Sequence, residues 1–170
     1  MPDPEAYFGQ VPAVSSDLGE GNWFDLEREV APFQMVPGLM FRPIVGEKVA
    51  LNLVSFEPNT EARLHAHSEE QITYVLEGEL EFMVGQRTLS ATAGSVVYGP
   101  RNVLHAFKNV GVTPSKMVVL IMPAGLEKMF EELGEPVADP SSPPEGPPDI
   151  ERLMAINEKY GVEVAPPPGP

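Results

Sequence analysis

The chain has 170 residues, 42% of them hydrophobic, with 25 acidic side chains against 11 basic ones and a formal net charge of -14. That length suits one domain with extensions, and so acidic a surface repels the phosphates of nucleic acids and anionic lipid headgroups, so neither nucleic acid nor membrane is an expected partner. Cysteine is absent, which excludes disulfides, thiolate metal sites and cysteine nucleophiles.

Residues 1–38 form an arm rich in Pro, Gly and acidic residues. Its start, Met1-Pro2-Asp3-Pro4-Glu5, has neither the basic n-region nor the apolar h-region of a signal peptide. No apolar run in the chain approaches the roughly 18 residues of a membrane-spanning helix. A soluble, cytoplasmic protein is therefore expected. The one amphipathic stretch of the arm runs from Trp23 to Val30. Trp23 is expected to anchor it on the β-domain or on a second subunit.

Residues 39–123 are dense in β-branched and apolar side chains and read as consecutive strands. The expected strands are Met40–Val45, Lys48–Glu57, Glu61–His67, Gln71–Glu77, Glu79–Val84, Gln86–Ala91, Ser95–Tyr98, His105–Val110 and Lys116–Met122. Gly46, Pro58-Asn59, Gly78, Gly85, Gly94 and Gly99-Pro100 punctuate them. No long helical pattern intervenes, so the strands should be antiparallel and should build an all-β sandwich or barrel. Leu80, Phe82 and Val84 alternate with Glu79, Glu81 and Met83, giving one buried and one mostly wet face.

Residues 124–170 carry two helical patterns. The first, Gly125–Leu133, places Leu126, Met129, Phe130 and Leu133 on one face. The second runs from the N-cap candidate Asp149 to Tyr160, with Gly161 as its stop. Its Ile150, Leu153, Met154 and Ile156 or Tyr160 are expected to pack on the outside of the β-domain. The spacer Pro136–Pro148 and the end, Pro166 to Pro170, are too proline-rich for regular structure.

The chain has only three histidines, at 65, 67 and 105, and none lies away from this pattern. Strand alternation puts His65 and His67 on one face, roughly 6.5–7 Å apart along the chain. Two imidazoles at that separation can converge on one ion. Gln71 begins the next strand and can offer an amide oxygen. His105 comes from a later strand and joins them only if the fold closes over the site. A His-X-His pair by itself is also a common surface feature of strands. Imidazole ligands suit a divalent first-row ion such as Zn, Mn, Fe, Ni or Co. Three or four protein ligands leave a position open, the arrangement of a catalytic site rather than a structural one.

These segments resemble the two motifs of the cupin superfamily. The first is a Gly, five residues, His-X-His, three or four residues, Glu, six residues, Gly. Here it reads Asn59, His65-Ala66-His67, Gln71, Gly78. The second is a Gly, five residues, Pro-X-Gly, two residues, His, three residues, Asn. Here it reads Gly94, Pro100-Arg101-Asn102, His105, Asn109. The resemblance spans about residues 40–123. It implies a cupin double-stranded β-helix, a jelly-roll barrel with a metal inside, flanked by the N-terminal arm and the short C-terminal helices. It also implies the ligand set His65, His67, Gln71 and His105, and pairing of two copies through their sheets as a homodimer.

Three positions depart from the pattern. Asn59 and Asn102 replace turn glycines, and Asn tolerates the left-handed backbone best after Gly. Gln71 stands where the usual ligand is Glu. Three imidazoles and an amide leave the full double charge on a divalent ion, which makes it a stronger Lewis acid and disfavours its oxidation. The neighbouring Glu70 could restore that charge or replace Gln71 as ligand. The six-residue spacing from Gln71 to Gly78 speaks for Gln71.

The candidate catalytic residues are Arg63, Glu70 and Tyr98. Arg63 precedes His65 by two and should share its inward face, either binding a substrate carboxylate or enolate or pairing with a rim acid. Tyr98 is a candidate proton donor, whereas Tyr74 is out of phase with Gln71. Phe107, with Phe82 and Met122, is expected to form an apolar wall, and Asn109 to tie a turn.

Three functions follow. One is a mononuclear metal-dependent isomerase or lyase that acts on a small oxygenated substrate, such as a sugar acid, by Lewis-acid catalysis. The second is an O2-dependent dioxygenase, and the third a non-enzymatic small-molecule binding module. The run from His65 to Glu79 resembles small single-domain cupins. Some of these linearise unsaturated uronate sugars, and others are quercetinases.

Overall fold

Ser115–Met122 alternates buried and half-buried residues along its whole length, as a strand does when one face lies in a core. The same period runs through most of the middle of the chain. A computed structural model describes residues 26–30, 32–136 and 149–166. Trp23, most of the N-terminal arm and most of the proline-rich spacer lie outside the described residues.

In chain order the elements are α1 (Leu26–Glu29), β1 (Phe33–Val36), β2 (Leu39–Val45), β3 (Ala50–Phe56), β4 (Glu61–Ala66), β5 (Glu70–Glu77), β6 (Glu79–Val84), β7 (Arg87–Thr92), β8 (Val96–Gly99), β9 (His105–Asn109), β10 (Ser115–Met122), α2 (Glu127–Leu133), β11 (Glu135–Pro136), α3 (Ile150–Lys159) and β12 (Glu163–Val164). They build two sheets, ordered β11-β1-β2-β3-β10-β5-β8 and β12-β4-β9-β6-β7. All pairings are antiparallel. The double-sheet, all-antiparallel architecture that the resemblance implies is therefore present. The expectation of a barrel is corrected in one respect: among the described residues no strand belongs to both sheets, so they face each other as an open sandwich.

The core lies between the sheets. Phe107 stands edge-on to Phe56 at 5.2 Å between ring centroids and tilts against Phe82 at 5.8 Å, tying one sheet to the other. Met122 does not join this wall. Ile121 is buried and its neighbour Met122 turns the other way, half-buried beside Glu70 across the ladder.

The two substituted turn positions behave as read. Asn59 and Asn102 hold φ of 64° and 57°. Gly78, at φ +85°, has no room for a side chain, since a Cβ there would lie 2.1 Å from Ser115 Oγ. Asn109 is a structural tie: its amide nitrogen donates to the carbonyls of Phe56 (3.2 Å) and Thr113 (2.9 Å), and its oxygen accepts from Gly111 N–H (2.9 Å).

The tail departs most from expectation. Pro136, assigned to an irregular spacer, sits in β11 opposite Phe33 at the sheet edge, where a missing N–H breaks no ladder. Asp149 does cap α3, accepting from Arg152 N–H at 3.0 Å, and Gly161 ends the helical run at φ 66°. Yet α3 is not simply applied to the outside. Met154 is exposed, whereas Leu153 and Asn157 face a cavity between the sheets.

Candidate metal centre

β4 and β9 are ladder partners, and their register sets His65 directly opposite His105. His67 follows the end of β4, where its carbonyl accepts from Asn102 N–H at 2.8 Å. That bond ties the first motif to the left-handed turn of the second. The ring centroids stand 4.4 Å (His65–His105), 4.9 Å (His67–His105) and 5.8 Å (His65–His67) apart. One ligand nitrogen from each ring lies within 4.8 Å of the others. Around an ion at about 2.0–2.1 Å from each nitrogen the separations would be roughly 3 Å, so the rings need only a small inward adjustment.

Hydrogen bonds to carbonyls fix two of the tautomers. His65 Nδ1 lies 2.6 Å from Arg63 O and His105 Nδ1 lies 2.9 Å from Val103 O. A carbonyl only accepts, so each Nδ1 carries the proton and each Nε2 keeps its lone pair. His67 Nδ1 stands 3.4 Å from Glu69 Oε2 without the alignment of a hydrogen bond. Both ring nitrogens of His67 and the Nε2 of His105 are buried without a partner. Orphaned imidazole nitrogens are costly unless something fills the gap. Outer partners on Nδ1 and free Nε2 atoms are what a metal-binding triad requires.

Electrostatics agree. Burial first, then the neighbouring His105, pushes the His65 imidazole down to about 3. Burial also lowers His67 and His105 below their usual range. All three rings are therefore neutral at pH 7, the state in which imidazole binds a metal.

Gln71 is buried on the inward face of β5 and donates from Nε2 to Thr73 Oγ1 at 3.3 Å. Its neutral side chain lines the same cavity as His65 and His67. Arg63 also borders the cavity, exposed near its mouth. Glu70 and Tyr98 are not brought there. Glu70 precedes the inward Gln71, and Tyr98 pairs with Ile72 on the outer face of β5. Tyr98 Oη donates to Glu70 Oε1 at 3.3 Å, and Arg101 Nε lies 3.8 Å from the same oxygen. Strand phase thus turns both away from the cavity and keeps Glu70 from the place of a metal ligand.

The cavity measures about 500 Å³. Its walls include residues that the motifs gave no means of finding: Leu126, Met129 and Phe130 near α2, Leu153 and Asn157 of α3, and Val162. Their apolar periodicity was readable, but not the surface they cover. Glu61 is a further lining residue, exposed at the mouth.

Residues 52–121 match the cupin domain family. An uncharacterised protein of Streptomyces coelicolor is 27% identical over 75 residues, which is 44% of this chain and 71% of that protein. Among solved structures, KdgF from a Halomonas species aligns at a TM-score of 0.59 with 19% identity, over 64% of this chain and 99% of its own. An RmlC-like cupin from Shewanella frigidimarina aligns at 0.57 with 21% identity, over 65% and 99%. A sugar phosphate isomerase of the cupin superfamily from Silicibacter pomeroyi aligns at 0.55 with 19% identity, over 61% and 76%. At these identities the structural likenesses establish the fold.

Proposed function

We propose, from the match of residues 52–121 to the cupin domain family, that the protein is a mononuclear metal enzyme, an isomerase or lyase acting on a small oxygenated molecule without redox chemistry. The observation that carries this reading is the cluster of three neutral imidazoles, with Nδ1 of His65 and His105 bound to carbonyls and with His65 and His67 lining a cavity together with the uncharged Gln71. His65, His67 and His105 would hold the ion through nitrogen, and Gln71 through its amide oxygen. A divalent Zn, Mn, Fe, Ni or Co bound there supplies Lewis acidity, undiminished by any carboxylate ligand.

The chain's own groups do the rest. The apolar walls exclude water, which strengthens each polar contact within. Glu61 and Arg63 are the charged residues among those lining the cavity. Arg63 stands where its guanidinium can pair with a carboxylate or enolate oxygen. Glu61 can take a substrate proton on a carboxylate oxygen and return it at a second carbon. That exchange balances without an oxidant. The exposed Tyr74, Val96 and Tyr98 on the outer face of β5 and β8 support the expected pairing of two copies.

The test is a substrate screen in D2O with an oxygen electrode in parallel. Solvent deuterium should enter the product, oxygen uptake should stay at background, and Glu61→Gln should slow exchange by about 10²-fold or more. Metal-dependent oxygen consumption would overturn the non-redox reading.

A further inference from the structure

We propose that residues 126–133 and 150–164 form the specificity wall of the cavity and select a substrate with an apolar body joined to an oxygen-bearing head. The proposal rests on the metal reading above, because the head is the part that would meet the imidazoles and Gln71. The family match ends at residue 121, yet Leu126, Met129, Phe130, Leu133, Leu153 and Val162 all line the cavity beyond it. Phe130 is held flat against Phe41, with ring centroids 4.4 Å apart.

The tail is fastened in two places. β12 pairs with β4, the strand that carries His65, with Val164 opposite His65 and Ala165 N–H donating to Leu64 O at 2.9 Å. On the other side, Glu132 of α2 accepts from Lys159 Nζ at 2.5 Å and from Tyr160 Oη at 2.6 Å. These bonds clamp the end of α3 to α2. The wall is thus a built part of the site.

Its chemistry discriminates. Of the tail residues that line the cavity Asn157 alone is polar, and the others, Leu126, Phe130 and Leu153 among them, present hydrocarbon. A polyhydroxylated substrate would bury hydroxyls there without partners, which is unfavourable. An aromatic or branched aliphatic body would gain from the same surface. A cavity of about 500 Å³ fits a molecule with one or two rings, within the usual range for small-molecule sites.

Hydroxamates test this, because one chelating head can carry different bodies. The full-length, metal-loaded protein is titrated calorimetrically with acetohydroxamate, benzohydroxamate, 2-naphthohydroxamate and a gluconate-derived polyol hydroxamate. The naphthyl compound should bind about 100-fold more tightly than the methyl one, and the polyol no more tightly than the methyl. Leu153→Gln, with metal content and circular dichroism checked, should cut the naphthyl-to-methyl ratio at least 5-fold. A flat series, or a polyol that matches the naphthyl compound, overturns the wall, and the wild-type series alone decides this if the variant misfolds. A preserved ratio in metal-free protein, with no gain from metal for any head, would instead sink the metal reading and support the wall.

Discussion

Replacing Gln71 by Glu puts one negative charge on a side chain only 6% exposed that lines the same cavity as His65 and His67. The two states of the protein should respond in opposite directions. Without metal, the carboxylate is buried among neutral imidazoles and loses its donor bond to Thr73. Leaving a charged group so poorly partnered should lower unfolding stability by about 1–3 kcal/mol. With metal, a unit charge pair at about 4 Å and an effective dielectric of about 20 gains about 4 kcal/mol, and a divalent ion about twice that. Desolvation of the carboxylate takes back several kcal/mol. The net gain of about 2–4 kcal/mol corresponds to metal binding roughly 30- to 1,000-fold tighter. Chelator competition reads the affinity, and urea unfolding with and without metal reads the stability. If neither changes, Gln71 does not face the ion, and the argument from its neutrality fails.

Three further outcomes follow from the same structure. Gly78→Ala combines φ +85° with a Cβ 2.1 Å from Ser115 Oγ and 2.9 Å from Ser115 Cα, so urea unfolding should show a loss of about 2–5 kcal/mol; a loss below 1 kcal/mol would mean the turn relaxes freely. At Asn102, with φ 57°, Ala should cost about 1 kcal/mol while Gly is neutral or slightly stabilising, and equal effects would deny that the backbone conformation selects the residue. The buried histidines give the metal-free protein a pH dependence. Their folded pKa values lie below the ordinary one, that of His65 at about 3 through burial and then His105. The unfolded chain therefore binds protons first as pH falls below about 6.5, and stability should fall from there towards pH 3 while staying flat above. The slope is at most about 1.4 kcal/mol per pH unit for each ring. Urea midpoints that rise between pH 7 and pH 5 would contradict it.

The sequence carried local signals well where one residue type answers one backbone need. Asn59 and Asn102 were readable as left-handed turns, Asp149 as an N-cap and Gly161 as a helix stop, because each requirement is satisfied within a few residues. The His65–His105 pairing was readable through motif spacing. Strand phase was harder. Nothing local to Tyr98 sets its direction, whereas its cross-strand partner Ile72 decides which way it points. Met122 failed for the same reason, one residue out of phase with the inward Ile121. The short β11 and β12 have no periodicity to read and exist because β1 and β4 offer them an edge. The cavity wall was the least legible part, since an amphipathic helix announces an apolar face but not what lies beneath it.

The central claim is that His65, His67 and His105 hold one ion together. The direct measurement is elemental analysis of dialysed wild-type protein and of three single His→Ala variants, each checked for folding. The account predicts one first-row ion per wild-type chain and a loss of at least 10-fold in affinity in every variant. A wild-type chain that retains no metal, or a variant such as His105→Ala that retains the full complement, would contradict it.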